Sequence, residues 1–173
     1  MMFGLFKRDK RRDVILALYA HCADASRAPW LYAEAGVPDT VEGRLDSLTL
    51  HAMLVVRRLG ALPEPGPEIA QEMIDVLFQH VDHGLRELGV GDTTVPKRMK
   101  KIAQNFYGRV QAYAEPLDKG DDAALGAALE RNIPGVATQR MIAYLRRSEA
   151  RFATFSVEDM LNRTDLFEEA IAP

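Results

Sequence analysis

Apolar residues recur at helical spacing along nearly the whole chain, and turn signals cut them into segments. Val14–Cys22 is a compact apolar stretch. Pro29 suits the first turn of a short helix carrying Trp30, Leu31 and Tyr32, which Gly36-Val37-Pro38 ends. Asp39-Thr40-Val41-Glu42 reads as a capping box for a helix over 42–60. There Leu45, Leu48, Ala52, Val55 and Leu59 form one stripe, while Leu50, Met53, Leu54 and Val56 fill much of the other side. Such a helix is central and largely buried. Gly60 and Pro63-Glu64-Pro65-Gly66-Pro67 form the strongest break in the chain.

Two amphipathic helices follow. Between Pro67 and Gly89 the apolar positions are Ile69, Met73, Val76, Leu77, Val81, Leu85 and Leu88, with Gly84 interrupting at a cost of about 1 kcal/mol relative to Ala. Gly89-Val90-Gly91-Asp92 makes a turn, and Thr93 or Thr94 is placed to cap the helix that Pro96 opens. Its core stripe is Val95, Met99, Ile102, Phe106, Val110, Tyr113 and Leu117, and Pro116–Gly120 ends it. Asp121 caps a short helix through Glu130. Another runs from about Val136 to Ser148 or on to Phe155, and Ser156 starts a last one ending near Ile171. No alternating strand pattern or internal repeat is present. The pattern predicts an all-α, single-domain helical bundle of about seven or eight helices without a sheet: 1–12 as a flexible basic tip and 13–173 as the helical domain.

Charge separates the two amphipathic helices. Residues 64–92 hold seven acids and one arginine, a local net of −6, whereas residues 93–114 hold five basic residues and no acid. Helices joined by a short turn pack antiparallel, so the two signs lie side by side. They either screen each other within the fold or form a dipolar docking surface.

Composition narrows the classes. The 173 residues are 47% apolar and 27% charged with a net charge of −3, which excludes a disordered or low-complexity chain. A pI of about 5.8 is not that of a nucleic-acid binder as a whole. The single cysteine, Cys22, allows no internal disulfide and reads as buried and structural, fitting a reducing, cytoplasmic setting. No run is long enough to span a membrane. At the N-terminus the apolar tip precedes the cluster Lys7-Arg8-Asp9-Lys10-Arg11-Arg12, the wrong order for a secretory signal. That cluster is either the solvated start of a helix or an anionic-lipid contact worth about 1 kcal/mol per basic residue, with Phe3 and Phe6 at the interface.

Catalytic motifs are missing: no phosphate loop, no dinucleotide fingerprint and no nucleophile elbow. His80, His83 and Glu87 are the nearest approach to a metal-ligand set, but the Glu-x-x-His pairs of a di-metal bundle are absent. No motif marks a catalytic centre, and the sequence predicts no cofactor and no metal, with His80 at the edge of the core stripe and His83 and Glu87 solvated. Trp30 and Tyr32 read as a seal on the bundle. The basic helix has the charge for RNA phosphates, but only Tyr107 among its aromatics lies off the core stripe, and DNA readout is disfavoured.

The block Leu85-Arg86-Glu87-Leu88-Gly89-Val90-Gly91-Asp92, then Val95-Pro96-Lys97-Arg98-Met99-Lys100-Lys101 and Tyr107-Gly108-Arg109, resembles the signature of the ubiquinol–cytochrome c chaperone family. Gly43-Arg44-Leu45, Leu50-His51, Arg57-Arg58-Leu59, Tyr32-Ala33-Glu34 and Gly36-Val37-Pro38-Asp39-Thr40 are similar to the family as well. The resemblance spans roughly residues 13–131 and is strongest over 43–131; Thr93 and Thr94 depart from it where an apolar residue is expected. It implies a non-enzymatic, all-helical, bacterial-type assembly chaperone of respiratory complex III, whose mitochondrial relatives hold newly made cytochrome b near the ribosome exit.

On that resemblance the two-sign surface has a use. Arg86, Glu87 and Asp92, where the acidic helix meets its turn, and Lys97, Lys100, Lys101 and Arg109 beyond it, are the candidate partner-binding residues. Their partners would be cytochrome b or another complex III subunit, with ribosomal RNA or an anionic membrane surface on the basic side. The location would then be cytoplasmic and peripheral at the inner face of the membrane. Alternatively, Arg86, Glu87 and Asp92 form an internal network that fixes the turn. Gly89, Gly91 and Gly108 read as conformational or close-packing positions. A lipid-binding helical protein is the competing class, and a helical enzyme or metal protein built on His80, His83 and Glu87 is a third.

Overall fold

The computed structural model describes residues 3–167, with side chains described from Lys10 onward. Eight helices follow one another in these residues: α1 (Phe3–Ala25), α2 (Pro29–Ala33), α3 (Val41–Gly60), α4 (Gly66–Glu87), α5 (Val95–Lys119), α6 (Asp122–Asn132), α7 (Thr138–Ala153) and α8 (Val157–Asn162). No strand occurs among the described residues. The basic cluster at 7–12 therefore lies on a continuous helix. The side chains of Phe3, Phe6, Lys7, Arg8 and Asp9 fall outside the description, but Arg11 reaches Glu68 and Glu72 of α4 at 3.0 and 2.7 Å.

Helix α3 is the central element and packs on α1, α4, α5, α7 and α8. Ala52, Met53, Val55 and Leu59 are wholly buried along it, as the double-sided apolar pattern requires. Its start is fixed by two local features. The Thr40 hydroxyl accepts from the Gly43 N–H at 3.1 Å, and a Cβ on Gly43 would sit 2.0 Å from the Pro38 carbonyl oxygen. The glycine is a steric necessity. Because it occupies the third helical position, the returning acidic arm of the expected capping box is absent, and Asp39 accepts from Arg44 instead at 2.7 Å.

Helix α5 continues through Pro116 and ends at Lys119, within the Pro116–Gly120 stretch expected to end it. A proline in the last turn removes only one hydrogen bond, and Arg146 of α7 donates to the carbonyls of Leu117 (2.8 Å) and Pro116 (3.3 Å) that the helix end leaves open. Gly120, at φ 68°, then closes the helix in the left-handed conformation. At its other end Thr94 occupies the capping position without a side-chain bond. The Gly91 carbonyl accepts from the N–H groups of Thr94 and Val95 (2.8 and 3.1 Å), so the turn itself supplies the closure.

Ser156 and Asp159 cap α8 reciprocally. That helix ends at Asn162 rather than near Ile171. Arg163 is extended, and Arg151 takes the carbonyls of Asp165 and Leu166 at 2.6 and 3.2 Å, holding Leu166 in the core. The expected continuation beyond Phe167 lies outside the described residues.

Two features tie distant parts together. The Ala137 N–H donates to the Ala35 carbonyl at 2.7 Å, and beside it a Cβ on Gly36 would stand 2.5 Å from the Gly135 carbonyl oxygen. Deeper in, His51 of α3 donates from Nδ1 to the Ser47 carbonyl (2.7 Å) and accepts at Nε2 from the Tyr144 hydroxyl (2.8 Å). Trp30 sits edge-on to Tyr144 at 5.0 Å, so the short aromatic helix does seal the bundle. Cys22 is fully buried, and burial pushes its thiol up, as an inert structural cysteine requires.

Candidate partner-binding surface

The acidic face of α4 is satisfied from elsewhere than α5. Glu68 and Glu72 pair with Arg11 of α1. Asp82 accepts from Arg86 at 2.8 Å, and Arg86 also pairs with Asp92 across the turn. Glu87 meets His83 at 3.2 Å. On α5, Lys97, Arg98, Lys100 and Lys101 are exposed and make no ion pair among the described residues. No ion pair thus joins the two faces among the described residues, and the basic one is left facing water.

The candidate residues divide accordingly. Arg86 and Asp92 join Asp82 in a local network that braces the turn, while Glu87 stands apart from it on His83. Lys97, Lys100 and Lys101 line an open face. Arg109 does not belong with them. It turns inward to an ion pair with Asp46 of α3, leaving the two side chains only 18% and 11% exposed. Burial pushes the Asp46 carboxyl up, against the pull of Arg109. Gly89 needs its positive φ of 78°, whereas Gly91 and Gly108 have neither a positive φ nor a neighbour within reach of a Cβ, so neither is a conformational or close-packing position.

His80 does not join the His83–Glu87 pair. His80 stacks on Tyr19 at a ring separation of 4.3 Å and bonds the Val76 carbonyl through Nδ1. No group of three His, Cys, Asp or Glu side chains among the described residues is placed to hold a metal.

Sequence reasoning did not locate the groove that the helices enclose. Where the last turn of α1, the start of α3, the end of α4 and the first half of α5 meet, a cavity of about 580 Å³ opens to solvent. Leu45, Leu48, Val81 and Ile102 form its half-buried floor. Leu88, assigned to the core stripe by periodicity, is 65% exposed at the edge, and Val41 is 56% exposed. Met99, Ile102 and Val110 are likewise only half-buried. Five cations and two acids line the groove, Arg109 and Asp46 among them. The available signal was Gly84, a helix-weakening residue inside an apolar stripe: it lines the groove, and a Cβ there would touch nothing within 4 Å.

A family model described as Ubiquinol-cytochrome C chaperone matches residues 33–167. The chain belongs to the ubiquinol–cytochrome c chaperone family. The match starts later than the resemblance read from the sequence and runs on through α7 and α8, so the family region includes the elements that close the bundle. A crystal structure of the Cbp3 homolog from Brucella abortus is similar over 93% of both chains, at 39% identity and a TM-score of 0.81. Two ubiquinol–cytochrome c reductase complex assembly factors named factor 1 are also similar. The Xenopus laevis protein is 20% identical over 90% of this chain and 80% of its own length. The Mus musculus protein is 21% identical over 90% of this chain and 55% of its own length. No helix of this family member is long and apolar enough, among the described residues, to cross a membrane.

Proposed function

We propose that this chain is a non-enzymatic chaperone that binds cytochrome b and assists biogenesis of the ubiquinol–cytochrome c reductase complex, working peripherally at the inner face of the membrane. The family match over residues 33–167 carries the reading. The names of the frog and mouse relatives, both assembly factors for that complex, support it. The unpaired cations Lys97, Lys100 and Lys101 suit contact with acidic segments of the client or with ribosomal RNA while the client is being made. Their exposure also favours a second reading, in which α5 and the basic N-terminus bind anionic lipid.

The test is recovery of cytochrome b on the tagged chain from its own cells in mild detergent, beside a variant carrying Lys97→Glu, Lys100→Glu and Lys101→Glu. Cytochrome b or ribosomes should accompany the parent and be lost from the variant. Equal recovery moves the contact off this face. Absence of cytochrome b from both samples, together with normal complex III in a deletion strain, overturns the chaperone reading. Salt-sensitive binding to anionic vesicles would then favour the lipid reading.

A further inference from the structure

The geometry points to the groove at the α3–α4–α5 end as the seat for one face of an apolar helix from a partner, with a carboxylate of that helix set against Arg98 and Lys101 and its backbone brought close over Gly84. This deepens the chaperone reading above and rests on it for the partner's identity, but the groove's chemistry stands by itself. Val41 and Leu88, two of the three large apolar side chains left exposed among the described residues, stand on its edge. The side chains of Leu45, Leu48 and Ile102 continue that apolar surface inward. Large exposed apolar surface with a polar rim marks an interaction site.

The occupant's shape follows from the edge residues. An acyl chain lying on the floor would leave Val41 and Leu88 in water. A helix, about 10–12 Å across with its side chains, covers floor and edges together. Its charge follows from the rim. Arg109 is already taken by Asp46, Arg44 by Asp39 and Arg27 by Asp24, which among the described residues leaves Arg98 and Lys101 against one unpaired acid, Glu42, so the unmet charge is positive. Its close approach follows from Gly84, where nothing in the fold requires a glycine and the missing side chain leaves room for the backbone or a large side chain of the incoming helix.

Two synthetic amphipathic 20-residue peptides test this on the full chain by fluorescence anisotropy. Both carry a Leu/Ala face, one flanked by two Glu and the other by two Lys. The parent should bind the Glu peptide at least about tenfold more tightly than the Lys peptide. Gly84→Leu, which fills the groove, should weaken that binding about tenfold or more, with its folding checked by circular dichroism. Arg98→Glu with Lys101→Glu changes only exposed side chains and should invert the peptide preference. A folded Gly84→Leu that binds like the parent, or a preference that does not invert, overturns the proposal. So does Gly84-dependent binding of phosphatidylglycerol vesicles without peptide binding. In cells, equal recovery of cytochrome b by the parent and a folded Gly84→Leu overturns the groove and leaves the chaperone reading intact. Absence of cytochrome b from the parent, with the peptide results as expected, overturns that reading and leaves the groove.

Discussion

His51 shows how one buried polar side chain can set the acid sensitivity of the whole molecule. Its Nδ1–H is committed to the Ser47 carbonyl and its Nε2 to the Tyr144 hydroxyl, so the ring is satisfied only when neutral. Burial lowers its pKa to about 4 from an ordinary 6.5, with the Ser47 bond opposing. The unfolded chain takes up a proton below about pH 6.5 while the folded chain refuses it until about pH 4, so stability falls as pH drops through that window. Between pH 7 and pH 5 this group alone should remove about 2 kcal/mol. Urea unfolding of the parent and of His51→Gln at the two pH values measures it. The variant should be less stable at pH 7 and lose less on acidification, and an equal loss in both would assign the acid sensitivity to other groups. The sequence marked this histidine only as part of a family-like stretch and not by its role, since its partner Tyr144 lies 93 residues away.

At the scale of the helix, glycines separate what periodicity can read from what it cannot. Gly43 and Gly84 look alike in the sequence, each a helix-weakening residue within a segment of helical period. In the fold the first is pressed against the Pro38 carbonyl and the second faces open groove. Gly84→Ala should therefore stabilise the protein by about 0.5–1 kcal/mol, whereas Gly43→Ala should destabilise it by more than that, because the Pro38 backbone has to move. Thermal melts of the two variants check both signs, and a destabilising Gly84→Ala would mean that the groove closes in solution. The helices themselves were legible because their apolar stripes are long and their breaks are marked by Pro and Gly. The end of α5 was legible in Pro116–Gly120 too, but not that Arg146, on another helix, takes the carbonyls this end leaves open. The candidate site was legible in part. Lys97, Lys100 and Lys101 stand on an open face as a polar stripe would place them, while the inward turn of Arg109 depends on Asp46 across the core.

Across the whole molecule the two ends of the bundle are built differently. At the end of α3, Arg57 joins Asp118 of α5 (2.7 Å) and Glu149 of α7 (3.0 Å), Arg58 donates to the Phe155 carbonyl, and Arg146 holds the end of α5. At the start of α3 lies the groove, where Arg98 and Lys101 of α5 are unpaired among the described residues. Amide hydrogen exchange should therefore be slower in the last turns of α5 than around 97–105, since opening follows sparse packing. Uniform protection along α5 would contradict this two-ended construction. The bond from Ala137 to Ala35 has a consequence in time. Its two residues are about a hundred positions apart in the chain, which at ribosomal rates of about 5–20 residues per second means that the earlier loop waits roughly 5–20 s for its partner to be synthesised. Through that interval the side of α3 that α7 will cover is bare, so a protein read as a guardian of another chain's synthesis has an unguarded interval of its own.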